Sequence, residues 1–418
     1  MSAERDKAKD WLGRRIAQLS FLVLFPGFFL WQAALLKGLT PLSINLFAEA
    51  SVAALLLFVA ALLPASRKVF STPVFSTCLF VMMAWCGLWT LGTWMLAPDV
   101  PPGAIVQVVI TYMNWIVLIM IGLFLDVDDR AFRRALWLAI IACFIIALVN
   151  FDGSTTKFSD DPEQSVYQGL ARSVALSAAV LIAGFRDGFA RVVLIVLALG
   201  FLFIVGARSE LAAMTLAFGG YELIRLFLRP SGLKTIVPCI VIGALALLFW
   251  RESILAAIQD SRQLQLLDLE DSTSWQARQM FSEYAWATIE AHPIAGEFGS
   301  HFNVPVEESE QGGAYAHSIL SAWVSFGLVG FILYLTPNVI AVAMAARQAF
   351  ARTTTSLWRM AFYMTVSSMI LLVAAKPIFW PTPAIGWGLI IAAYSGARRR
   401  QTGVRNVSAA APRPIAST

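Results

Sequence analysis

The sequence predicts an all-α, polytopic membrane protein of about twelve transmembrane helices, on three observations. Hydrophobic residues make up 58% of the 418-residue chain and charged residues only 14%, with a mean hydropathy of +0.71. A water-soluble domain carries roughly a quarter charged residues. Apolar runs of about twenty residues recur from end to end, the length a helix needs to cross a hydrocarbon core of about 30 Å. The alternating segments of about ten residues that mark a transmembrane barrel are missing.

The expected spans run approximately over 16–36, 44–63, 75–96, 105–125, 134–149, 170–185, 191–206, 211–228, 235–250, 315–342, 358–375 and 379–395. The first is too long for a signal-peptide core and lacks a small-residue cleavage site, so it reads as a retained helix. Cys78, Cys86, Cys143 and Cys239 all fall inside spans, which gives neither a disulfide framework nor a metal-binding spacing. Orientation follows from the basic residues. With a cytoplasmic N-terminus, every cytoplasmic connection is basic, and all but eight of the 31 Lys and Arg residues lie on that face. The net charge of +5 is this positive-inside bias, not a nucleic-acid footprint. The chain divides into nine spans over 1–250, a cap loop over 251–314, three spans over 315–400, and a disordered cytoplasmic tail over 401–418. Within the cap, Thr273 and Gln276 fit a capping box. The stretch "SWQARQMFSEYAWATIEAH" then carries Trp275, Phe281, Tyr284 and Thr288 at helical spacing. Pro293 and Gly296 end it, giving an amphipathic helix near the outer membrane surface.

The eight basic residues on the outer side are the informative ones. Lys37, Lys157, Arg251 and Arg262 read as solvated loop residues. Arg172, Arg208, Arg278 and Lys376 fall at the outer ends of helices or on the cap helix, and His317 opens the tenth span. Ionisable groups at membrane depth are costly and mark function by default, although at the rim snorkelling lowers the cost. Interfacial anchoring accounts equally well for Arg172 and Lys376. Arg208 sits in "VGARSELAA", a turn too short to let it leave the bundle, with Glu210 and Glu49 as available partners. Glu49, about five residues inside the second span, needs a cation, and Arg172, Arg208 and Lys376 are at its level.

Other candidates read as structural. His292 precedes a proline at a helix end, His301 reads as plain loop surface, and Asp126, Asp128 and Asp129 form a solvated cytoplasmic loop. Asp268, Glu270 and Asp271 are on the outer side and read as a solvated acidic loop rather than a cation site. Fixed guanidiniums match phosphate oxygens bidentately. An imidazole near its ordinary pKa can take a proton from a hydroxyl. Together they suit displacement of a diphosphate by an alcohol.

The stretch "WQARQMFSEYAWATIEAHPIAGEFGSHF", a polar insert, and then "AHSILSAWVSFGLVGFILYL" resemble the signature region of the O-antigen ligase and polymerase family. There a Trp/Arg cap helix ends in His-Pro-x-x-Gly, followed by an Ala-His helix start and Phe-Gly-Leu-x-Gly. "VGARSELAA" is similar to that family's Ser-Arg-rich element, though it reads Ala-Arg-Ser-Glu in place of Ser-Arg-Gly. Gly-Glu-Phe-Gly replaces a plainer glycine run, and Ser318 stands where a polar amide is usual. The resemblance implies an inverting glycosyltransferase of GT-C-like architecture, without metal or cofactor, in a bacterial inner membrane. Its termini would be cytoplasmic and its active site periplasmic. The donor would be a glycan on undecaprenyl diphosphate. The acceptor would be lipid A core for a ligase, or a second lipid-linked repeat for O-antigen or exopolysaccharide polymerisation. By position, Arg208 and Arg278 would bind the diphosphate and His317 would activate the acceptor hydroxyl. Arg172 is added on location alone, with Glu210, Lys376 and Glu49 as supporting residues. The other class that fits is a twelve-span transporter or flippase of an anionic lipid-linked substrate. Against it, the sequence has no internal repeat and its cations gather at one rim rather than the midplane. Arg208→Lys keeps the charge but loses the fork, so transfer assays should find it impaired nearly as much as Arg208→Ala.

Overall fold

The structure is a computed structural model that describes residues 2–40, 46–97, 100–151, 156, 167–185, 189–228, 273–303, 318–351 and 354–410. These residues are almost wholly helical. Helices α1 (Ser2–Leu22) and α2 (Phe28–Leu36) join through a π turn, Val23–Gly27. Pro26 lies inside that turn. Its missing N–H and its ring cannot be fitted into a regular α ladder, so the chain widens there instead of stopping. Helices α3 (Leu46–Phe58) and α4 (Leu62–Val69) follow, joined by a 3-10 turn. Next come α5 (Pro73–Leu96) and α6 (Pro102–Phe124), each opened by a proline, where a missing N–H costs nothing. Asp129 caps α7 (Arg130–Val149) by accepting the Phe132 N–H at 2.8 Å. Helices α8 (Tyr167–Gly184), α9 (Phe189–Val205) and α10 (Arg208–Leu228) follow. After them come α11 (Thr273–Ala291), α12 (Leu320–Ala349), α13 (Ser356–Ala374) and α14 (Pro383–Ala410).

Among the described residues, eight helices are long and apolar enough to cross a membrane: Ala8–Leu36, Leu46–Val69, Pro73–Leu96, Pro102–Phe124, Arg130–Val149, Arg208–Leu228, Leu320–Ala349 and Ser356–Ala374. Three shorter ones, Gln168–Gly184, Phe189–Val205 and Pro383–Ala397, are also apolar. The chain is an all-α, multi-pass membrane protein. The expected ninth span, 235–250, lies outside the described residues.

Two sequence expectations need correction here. Residues 401–410 continue α14 as helix. The aspartates after α6 are not all solvated. Asp126 pairs with Arg14 at 3.3 Å and Asp129 with Arg15 at 3.2 Å, which ties the second half of α1 to the α6–α7 turn.

The centre of the bundle is a close crossing of α6 and α14. A Cβ on Gly122 would lie 2.3 Å from the Ile385 carbonyl oxygen, and one on Gly388 would lie 2.1 Å from that of Ile119. Backbone contact of this kind is how membrane helices gain packing energy without a hydrophobic drive. Trp115, Tyr334 and Trp387 fill the adjoining core, and Trp387 Nε1 donates to Asn338 Oδ1 at 3.1 Å.

At the end where α8 and α10 finish and α13 begins, basic side chains are folded inward. Arg191 is 1% exposed and pairs with Glu222 at 2.7 Å, against the Tyr221 ring. Arg225 pairs with the same carboxylate at 3.1 Å, and Arg359 donates twice to the Ala183 carbonyl. Orientation counting treats Arg191 and Arg359 as loop charges, whereas here they lock four helices together. Gly388→Ala must push α14 off α6 and should cost about 3 kcal/mol, read as a lowered thermal midpoint in detergent. Gly92→Ala, with nothing within 4 Å of the new Cβ, should raise that midpoint slightly, because alanine is the better helix former inside α5.

Candidate functional site

The opposite end of the same helices holds a second buried polar cluster. Helix α8 begins there, held to the π turn by Ser173 Oγ, which donates to the Phe25 carbonyl at 2.7 Å. That bond fixes the neighbouring Arg172. Helix α9 ends at Val205, and Gly206 turns the chain in the left-handed conformation (φ +79°) so that α10 starts at once with Arg208. Arg208, Ser209 and Glu210 therefore occupy the first turn of α10. Helix α13 stops at Ala374 before Lys376 and Pro377, where a proline cannot continue the ladder.

Glu210 is the hub of this end. Lys376 Nζ approaches its Oε1 at 3.2 Å, and Ser209 Oγ donates to its Oε2 at 2.8 Å. Lys376 also reaches Gln168 Oε1 at 3.4 Å. Arg172 interacts with both Glu210 and Lys376, and Arg278 on α11 lies within electrostatic reach of Lys376. Burial is the main force lowering the Lys376 ammonium pKa; Glu210 opposes it, and the guanidiniums Arg172 and Arg278 add to the lowering. Two cations face one carboxylate and a third, Arg278, lies near Lys376, so among the described residues the pocket is positive in a medium of low dielectric and short of an anion.

A second feature adjoins it. Helix α12 is broken at Gly327, whose φ of +69° and ψ of −178° no ordinary helix contains. In an unbroken helix the Leu328 N–H would bond to the Val324 carbonyl. Here the loop after α11 takes both groups: Leu328 donates to the Ile294 carbonyl at 3.1 Å, and Glu297 donates to that of Val324 at 2.7 Å. The backbones approach so closely that a Cβ on Gly327 would sit 2.2 Å from the Ile294 oxygen, and one on Gly296 2.4 Å from that of Val324. The glycines of "HPIAG" and "FGLVG" are thus two halves of one joint. His292 is exposed; its carbonyl accepts the Gly296 N–H at 2.8 Å, a helix-end role. Helix α11 buries Phe281, Ala285 and Ile289, with Ala285 and Ile289 packed beside Val324. The expected stripe through Tyr284 and Thr288 is displaced by one position, and Tyr284 is exposed. The i, i+4, i+8 row is the one that faces α12.

Of the residues anticipated from sequence, Arg172, Glu210 and Lys376 come together, Arg278 is near them, and Arg208 opens α10 two positions before Glu210. Glu49 does not join them. It is exposed and makes no ion pair among the described residues, because its face of α3 turns away from the bundle. His317 lies outside the described residues, as do Lys157, Arg251, Arg262, Asp268, Glu270 and Asp271. Helix α12 resumes the chain just after it, and Ser321 Oγ in its first turn accepts the Ile378 N–H at 2.8 Å, beside the Lys376 connection. No group of three or more His, Cys, Asp or Glu side chains stands close enough to hold a metal among the described residues.

His301 is not surface. It is 2% exposed, its Nε2 lies 2.9 Å from Gln107 Oε1, and its ring packs on Phe302 and Phe379. The neighbouring "GEFGSHF" glycines and aromatics, which let this loop fold down onto α6, were the available signal. Ser209 and Gln168 were missed because nothing marks a loop-end amide or a hydroxyl as a partner before its neighbour is known.

The fold and this site define a multi-pass membrane protein with a buried cationic pocket at one end of its bundle. The sequence matches no protein-family model, and no curated protein matches it.

Burial pushes the His301 imidazole down to about 4 from its ordinary 6.5. The unfolded chain therefore takes up this proton first as pH falls, and stability should drop between about pH 6.5 and 4. From pH 7 to 5 the loss should be about 2 kcal/mol, followed as a thermal midpoint. His301→Phe should flatten that part of the profile.

Proposed function

We propose that this protein is an inverting glycosyltransferase that moves a glycan from undecaprenyl diphosphate to a sugar hydroxyl at the periplasmic face of a bacterial inner membrane. In this reading the bundle has twelve spans, the segment around α11 is a periplasmic cap, and both termini are cytoplasmic. The observation that carries it is the excess of cations, Arg172 and Lys376 around the buried Glu210 with Arg278 near Lys376, at one end of the bundle where Arg208 also stands. A lipid-linked diphosphate brings its anionic head to that depth while its polyprenyl tail stays in the hydrocarbon.

The acceptor oxygen attacks the anomeric carbon from the face opposite the diphosphate. The bond from that carbon to the phosphate oxygen breaks, and its electron pair leaves on the diphosphate, where fixed guanidiniums neutralise the growing charge. His317 takes the hydroxyl proton. The products are a glycoside of inverted configuration and undecaprenyl diphosphate. Joining the loop after α11 to the α12 break supports this arrangement, because it holds the cap helix that carries Arg278 against the helix that begins just after His317.

The decisive assay supplies purified protein with a lipid-linked glycan and an acceptor. Glycosylated acceptor with release of undecaprenyl diphosphate is expected, and His317→Ala should lower the rate by about 100-fold or more while leaving donor binding intact. Donor that only crosses a liposome, chemically unchanged, would instead make the protein a transporter. Deletion followed by lipopolysaccharide gels separates the acceptors. A core without long chains indicates ligation, a core with one repeat indicates polymerisation, and unchanged lipopolysaccharide with missing exopolysaccharide indicates an exopolysaccharide system.

A further inference from the structure

We propose that the cationic pocket continues inward as a donor-lined cleft that seats one terminal oxygen of an oxyanion. Resting on the reading above, that oxyanion is the donor's diphosphate. The cleft lies between α8, α10, α13 and the connection from Lys376 to Thr382, and Arg172, Glu210, Met214, Ser368, Leu371 and Trp380 line it. Four polar atoms on this wall are buried and make no hydrogen bond among the described residues: Arg172 Nε, Ser368 Oγ, Trp380 Nε1 and Glu210 Oε1, and of these only Glu210 Oε1 has an ion-pair partner, Lys376. Ser368 is 2% exposed and Trp380 7%.

Buried polar groups in folded proteins are paired almost without exception, so the other three on this wall call for a partner. The partner's chemistry is narrow. The guanidinium Nε–H and the indole Nε1–H can only donate, and the serine hydroxyl can donate as well. Glu210, on the same wall, is already engaged by Lys376 and Ser209. What fits is an acceptor with several lone pairs and negative charge. The free space admits about one water-sized atom, too little for a whole phosphate group. The phosphorus therefore stays in the wider pocket beside Arg172, Lys376 and Arg278, and a single non-bridging oxygen projects inward. Arg172 serves both compartments, and Trp380, four residues after Lys376, places its indole N–H through the same connection. These residues would fix the rotation of the phosphate group, which the longer-range charges cannot do. A lone ordered water is the competing occupant.

Isothermal titration calorimetry of inorganic diphosphate into the full-length protein in detergent tests this, with thermal midpoints to verify folding. Trp380→Phe keeps an aromatic six-membered ring and removes one donor; Arg172→Lys keeps the charge and removes Nε–H; Ser368→Ala removes the hydroxyl. Trp380→Phe and Arg172→Lys should each weaken diphosphate binding about tenfold or more, the scale of a lost hydrogen bond to a charged group. Ser368→Ala should add to either loss. Binding within twofold of wild type in Trp380→Phe and in a Trp380→Phe, Ser368→Ala double variant would leave an ordered water only and overturn the cleft. If Arg208→Lys or Arg278→Lys still lost binding in that case, the glycosyltransferase reading would stand without it. A folded wild-type protein that binds no diphosphate overturns both.

Discussion

Hydrocarbon offers no hydrogen-bond partner, so every polar group carried into the bundle must find one inside the protein. The structure is organised by that requirement. Where Pro26 forces a π turn, the Phe25 carbonyl is taken by Ser173. Where α12 breaks at Gly327, the two backbone groups that would have bonded each other are taken separately by the loop after α11. Trp85 Nε1 then donates to the Phe326 carbonyl beside the break. Irregular backbone at membrane depth is tolerated because protein, not lipid, covers it.

Charges follow the same rule with opposite results at the two ends of α8, α10 and α13. At one end Arg191, Arg225 and Glu222 share ion pairs under a roof of tyrosines, and Arg359 spends its guanidinium on a carbonyl. That end is closed and serves as a clamp. At the other, Glu210 engages Lys376 and Ser209 but leaves Arg172 and Arg278 in surplus, over a cleft with unmet donors. Both ends bury more cations than carboxylates; the first reads as a brace because its guanidiniums are spent on Glu222 and the Ala183 carbonyl, and the second as a binding site because its cations border a cleft whose wall holds the buried donors Arg172 Nε, Ser368 Oγ and Trp380 Nε1.

The π turn, the left-handed Gly206 and the Pro377 stop each look like a local irregularity, yet each delivers one member of the pocket. Ser173 anchors the helix turn that carries Arg172, Gly206 starts α10 early enough to present Glu210, and the end of α13 releases Lys376 toward it. Helix α11 is brought in through the glycine joint, with Ala285 and Ile289 against Val324. Precision in the site thus comes from rigid helix ends rather than from long loops.

Composition and periodicity by themselves determined the helical membrane class and where the eight long apolar helices among the described residues lie, since apolar length is a property of the chain alone. They also isolated Arg172, Arg208, Arg278 and Lys376 as exceptions to the charge bias. Only the tertiary structure decided which exceptions meet. Glu210 rather than Glu49 is the carboxylate among them, because helix rotation, which a span of all-round apolar residues leaves unmarked, turns one inward and the other out. The same holds for His301, buried where its loop folds down, and for the shared joint of Gly296 and Gly327. Contacts between segments distant along the chain depend on facing and distance, and neither is written in residue order.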